Sequence, residues 1–184
     1  MNGYSIALFV HIVGALGFFV ALGVEWISLR QLRRATTAEH LREWIAVASG
    51  VRRVGMASMA MLLISGFYMM AMVWGGVAWI IVALATLVVL TALAVALSGP
   101  RMAAIGRAVT AETGPLSLTL QQLLHHPLLW VAIQTRVVLA LGIVFLMTVK
   151  PDLIGSLLTI GVASALGLAS ALPMLGRERE QPAT

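Results

Sequence analysis

Five apolar runs, each long enough to cross a bilayer, make up most of this chain, and short arginine-bearing loops join them. The runs cover about residues 4–29, 51–74, 77–98, 128–149 and 153–175. At a helical rise of about 1.5 Å per residue, each reaches across a hydrocarbon core about 30 Å thick. A single span in lipid must satisfy its own backbone polar groups, so these runs are expected to be helices. Of the 184 residues, 60% are hydrophobic and 10% charged. Soluble domains carry about 25% charged residues, which excludes an ordinary soluble fold. The expectation is therefore an all-α, polytopic membrane helix bundle of five transmembrane helices, forming one transmembrane domain over residues 1–184. Gly75-Gly76, Gly99-Pro100 and Lys150-Pro151 mark the breaks between runs. The remaining segments, 30–50 and 99–127, read as interfacial. Leucines alternating with Ser117, Thr119, Gln121 and Gln122 suggest a short amphipathic helix in the second of them.

Arginine placement gives an orientation. Arg30, Arg33, Arg34, Arg42, Arg52 and Arg53 surround the first loop, Arg101 and Arg107 lie in the third, and Arg177 and Arg179 in the tail. All fall on one side if the N-terminus is outside and the C-terminus cytoplasmic, as the positive-inside rule requires. The opposite side carries Lys150, offset by Asp152. Trp26, Trp44 and Trp130 then map near the inner interface, and Trp74 and Trp79 near the outer one. The formal charge of +5 is thus read as a topology signal and a match for anionic lipid headgroups, not for nucleic acid. The first run has no positive n-region and is too long for a signal peptide, so it is counted as a helix of the bundle.

Ionisable residues inside spans are costly and point to function by default. Three are present: His11, Glu25 and Arg136. Helical stepping places Ala7, His11, Gly14, Phe18, Ala21 and Glu25 on one stripe of the first span. The small residues between the polar ones admit a neighbouring helix or a flat cofactor. Glu25 and Arg136 sit at compatible depths for an ion pair, and Arg52 or Arg53 are the alternative partners of Glu25. His11 reads as a neutral imidazole bonded to a neighbouring helix, as a haem-iron ligand, or as a proton-carrying or quinone-binding group. Cysteine is absent, which excludes thiolate sites. His40, His125 and His126 lie on the cytoplasmic side, so a second iron ligand at the depth of His11 would be Met69, Met70, Met72 or Met147. Met56, Met59 and Met61 raise copper handling, without a clear single-face arrangement. His125-His126-Pro127 reads as the polar start of the fourth span.

The segment Leu8-Phe9-Val10-His11-Ile12-Val13-Gly14-Ala15 resembles the first span of a group of small bacterial membrane proteins. In that group a histidine in helix one is followed by a small-residue face. It includes uncharacterised integral membrane proteins, the copper-resistance D type and the membrane protoporphyrinogen oxidases that bind b-type haem. Phe145-Leu146-Met147-Thr148-Val149-Lys150-Pro151 looks like the uncharacterised members in particular. The resemblance implies a multi-pass protein of the bacterial inner (plasma) membrane, with His11 as an axial ligand to haem b. Gly14, Phe18 and Arg136 would flank the cofactor, the last near a propionate or a quinone carbonyl. Unlike the oxidases, this chain has no histidine at the end of its first span.

Three functions follow as expectations. The first is a redox or accessory protein binding haem b or quinone. The second is a non-catalytic subunit or assembly factor of a larger membrane complex. The third is a small-solute or proton-coupled transporter, against which the lack of internal repeats counts. Ala163, Gly167 and Ala171, with Gly161 and Ala165 beside them, form a small-residue face suited to packing within the bundle or to a homodimer.

Overall fold

Long helices dominate the computed structural model, which describes residues 3–170. α1 spans Gly3–Arg34, α2 Ala38–Met69, α3 Ala78–Leu93, α4 Gly99–Thr110, α5 Leu118–Leu124, α6 Pro127–Val149 and α7 Leu153–Ala169. Among the described residues there is no β-strand, only an isolated bridge between Thr37 and Pro115. Four helical stretches are long and apolar enough to cross a membrane: Gly3–Arg34, Ala38–Trp74, Ala78–Thr110 and Leu118–Val149, the last interrupted at His125-His126. The protein is thus built for a membrane. The fifth expected span is helical over Leu153–Ala169, 17 residues, and positions 171–175, Ala171 included, lie outside the described residues. So do Arg177 and Arg179.

The chain forms two compact units, Met1–Val77 with Glu112–Leu116, and Ala78–Ala111 with Ser117–Thr184. In the first, α1 and α2 make an antiparallel hairpin. Each is 32 residues long, about 48 Å at helical rise, so each outreaches the hydrocarbon core by about 18 Å. Arg33 and Arg34 close the last turn of α1, where positive charge complements the helix dipole. Thr37 then caps α2, its hydroxyl accepting from the His40 N–H at 3.4 Å. Glu39 follows in the first turn of α2. Its own backbone N–H is the main reason its carboxyl is held below the ordinary carboxylate range. Residues 112–116 strap this end of the hairpin. The Ala38 N–H, an orphan of the helix start, donates to the Gly114 carbonyl at 2.9 Å. Gly114 supplies it from a left-handed conformation at φ 78°. Arg42 donates to the Glu112 carbonyl. Leu32, Ala38 and Leu41, at most 1% exposed, form a small core at this end. In lipid there is little hydrophobic reason to bury leucine, whereas in water there is.

The second unit is centred on α6, half of whose most apolar stretch is buried. α3 and α7 both pack on α6 and on each other. Leu146 meets Val82 and Ala83, with Ile143, Met147 and Ile160 around them. Small residues let α7 approach closely. A methyl at Gly142 would stand 3.2 Å from Ala163 Cβ, and one at Gly167 would press on Thr135 Cα at 2.8 Å. Ala163 and Gly167 are therefore used inside the unit, while Gly161 and Ala165 face outward.

Gly99-Pro100 does not end a helix. Ala94–Ser98 widens into a π-turn and the helix runs on to Thr110. Proline removes one N–H and crowds the carbonyl one turn back; a π-turn accommodates both. Arg101 Nη1 donates to the Leu97 carbonyl at 2.7 Å, satisfying a carbonyl in that turn. At the other end of α6, Lys150 adopts the left-handed cap conformation at φ 54°. Asp152 starts α7 by accepting from the Gly155 N–H at 2.8 Å. Asp152→Ala is expected to lower stability in detergent by about 1 kcal/mol, and Asp152→Asn by much less. Thermal unfolding of the purified variants checks this.

Candidate functional site

The seam between α1 and α2 holds the histidine that the sequence singles out. Gly14, Gly17 and Ala21 continue the face of α1 on which His11 stands, and α2 answers with Gly55, Ser58, Ser65 and Met69, at spacings of three, seven and four. Such residues add little thickness, so the two backbones come close. A methyl at Gly14 would lie 3.1 Å from the Ser58 carbonyl oxygen and 3.2 Å from Leu62 N. One at Gly17 would fall on the Ser58 hydroxyl, and one at Gly55 would touch Ala21 Cβ at 3.4 Å. Phe18, on the same stripe of α1, is 7% exposed.

His11 is partly buried, and its Nδ1 is 3.0 Å from the hydroxyl oxygen of Ser65. Ser65 is 4% exposed and donates back to the Met61 carbonyl of its own helix. Gly66 lies beneath the ring, where an added methyl would be 3.4 Å from Cε1. The imidazole is thus held from α2 by the Ser65 hydroxyl, the Leu62 backbone and the close surface at Gly66. Leu8 and Ile12 on its flank are exposed, at 38% and 50%. The ring therefore sits at the edge of the seam and not in its middle.

The other residues singled out by the sequence fall as follows. Gly14 and Phe18 are buried in the seam. Glu25 is partly buried on α1, and Arg136 is 8% exposed on α6 of the second unit. Met69 is buried on the face of α2 that carries Ser65, one turn further on. Met70 opens the π-turn that ends α2, and Met147 packs in the core of the second unit. Met56, Met61 and Met72 are exposed, at 60%, 38% and 67%, so the methionines of α2 share no face. His126 caps α6, its Nδ1 accepting from the Leu128 N–H at 3.3 Å, and His125 Nδ1 bonds the Gln121 carbonyl at 2.8 Å. His40 stacks edge-on against Trp44. Among the described residues no three His, Cys, Asp or Glu side chains gather into a metal-binding group. Trp26 carries the Arg30 guanidinium 4.6 Å above its ring, a pairing suited to an interface.

Ser65 and Gly66, the residues that fix His11, are absent from the sequence reading. Their signal was present. Gly55, Ser58, Ser65 and Met69 repeat at heptad-like spacing, the counterpart of the His11 stripe. No family model, curated protein or solved structure matches the chain.

Gly14→Leu is expected to force α1 and α2 apart, since the facing atoms, Met61 Cβ at 3.0 Å and the backbone of Ser58 and Leu62, are fixed to the frame of α2 and cannot turn aside. Gly14→Ala should cost about 1–3 kcal/mol, and Gly66→Ala should be tolerated, its nearest neighbour being at ordinary contact distance. Thermal stability of the three variants in one detergent checks the order.

Proposed function

We propose that this chain is a multi-pass protein of the bacterial inner membrane, N-terminus outside and C-terminus cytoplasmic, that serves a redox or accessory role by binding b-type haem through His11. The observation that carries this reading is the anchoring of the His11 ring. A metal-ligating histidine almost always has its other ring nitrogen held by a second group, and Ser65 holds Nδ1 at 3.0 Å. The ring also stands at the edge of the seam, beside exposed Leu8 and Ile12. A flat group can approach there without parting the helices.

The residues present fit one imidazole ligand. Met69 follows Ser65 by one turn on the same face of α2 and is the thioether to test as a second. Gly14 and Phe18 set the closeness of the helices and so the position of the ring. The bound haem would supply one-electron transfer; the chain itself positions the ring and excludes water from the seam. The resemblance of residues 8–15 to the first span of haem-binding small membrane proteins supports the same reading.

The test is an absorption spectrum of protein purified in mild detergent, with and without added haem. A Soret band is expected, and His11→Ala should abolish it while circular dichroism shows the helices intact. Colourless protein that takes up no added haem contradicts the reading.

A further inference from the structure

The Ser65 hydroxyl has one proton and three polar neighbours, the Met61 carbonyl oxygen, the Leu62 carbonyl oxygen at 3.4 Å and His11 Nδ1. A carbonyl oxygen only accepts. Ser65 gives its proton to these carbonyls of its own helix, chiefly that of Met61, since neither carbonyl has a proton to offer in return. The hydroxyl therefore turns its lone pairs toward the histidine. For the 3.0 Å contact to Nδ1 to be a hydrogen bond, Nδ1 must be the donor. A neutral imidazole carries a single N–H, so the lone pair is on Nε2.

We propose that Ser65 is a positioning residue that holds His11 as the Nδ1–H tautomer and so makes Nε2 the one nitrogen open to a ligand. Three features enforce this. The Met61 carbonyl is fixed in the helix one turn before Ser65, so the direction of the hydroxyl proton is set by α2 itself. Ser65 is 4% exposed, which leaves little room for water to offer the hydroxyl another partner. Turning the ring over would place a C–H against the Ser65 oxygen and lose the bond. The ligand chemistry that follows is a single acceptor of an imidazole lone pair. That it is haem iron rests on the proposed function; the tautomer does not.

The experiment uses the full chain, labelled with 15N-histidine, in detergent micelles without haem. The His11 signals are assigned by their loss in His11→Gln. A protonated-type nitrogen shift at Nδ1 and an unprotonated-type shift at Nε2 are expected. Ser65→Ala should move both toward a mixture of tautomers, and Ser65→Thr, which keeps the hydroxyl, should restore the original pattern. An Nε2–H tautomer in the unaltered chain overturns the proposal, as does a Ser65→Ala spectrum identical to it. Should Ser65→Ala fail to fold, the spectrum of the unaltered chain decides alone. Haem uptake is measured on the same preparation. The Nδ1–H tautomer without uptake sinks the haem reading only, and uptake onto a chain with the Nε2–H tautomer sinks this inference only.

Discussion

A peptide group in hydrocarbon has no water to bond, and an unmet N–H or C=O there costs several kcal/mol. The long helices of this chain answer that requirement, and they hold even across sequence that would break a helix in water. Pro100 is absorbed by a π-turn and by the Arg101 guanidinium on the Leu97 carbonyl. Polar side chains comply as well. Thr86, Thr91, Thr159 and Ser164 turn their hydroxyls onto carbonyls one turn back, at 2.7–2.9 Å. In these four residues polarity is spent on the helix itself.

With backbone needs met internally, lipid offers little hydrophobic reason for helices to associate, and close van der Waals contact must supply it. That is the role of Gly14 and Gly17 against Ser58 in one unit, and of Gly142 and Gly167 against Ala163 and Thr135 in the other. The side chains left outside are large and apolar, as Phe9, Leu16 and Val20 on α1 illustrate. His11 is placed by the same logic. It precedes the small stripe of α1 by one turn, at the point where α2 offers a hydroxyl and a glycine in place of bulk. A hydrogen bond between helices and a candidate ligand site thus share a single side chain.

The sequence made the helical class plain because length and apolarity leave no other structure in lipid. Where the helices end was less legible. Gly99-Pro100 reads as a stop, because the sequence does not show that a π-turn and the neighbouring Arg101 guanidinium repair the break. Residues 35–45 read as a short interfacial helix apart from the second span, whereas the structure joins the two in one helix, Ala38–Met69. Within the site, His11 stood out as an ionisable group in an apolar run. Ser65 did not, because a serine in a span normally bonds its own helix, and here it does that and holds His11 too. The polar start of α6 was readable: Pro127 needs no N–H donor at the first helical position, and His126 before it caps the turn.

α1 and α2 meet at Gly17 and Ser58, which seats His11 less than two turns away. The chain has no cysteine, so an introduced pair can report the contact cleanly. A Cβ at position 17 would lie 3.5 Å from Ser58 Cβ, within the separation of about 3.5–4.5 Å that a disulfide needs. Gly17→Cys with Ser58→Cys, oxidised in native membranes, should cross-link nearly completely. Leu16→Cys with Ser58→Cys, the first being on the exposed side of α1, should not. Failure of the first pair to close, or equal closure of both, would contradict the seam and everything placed by it.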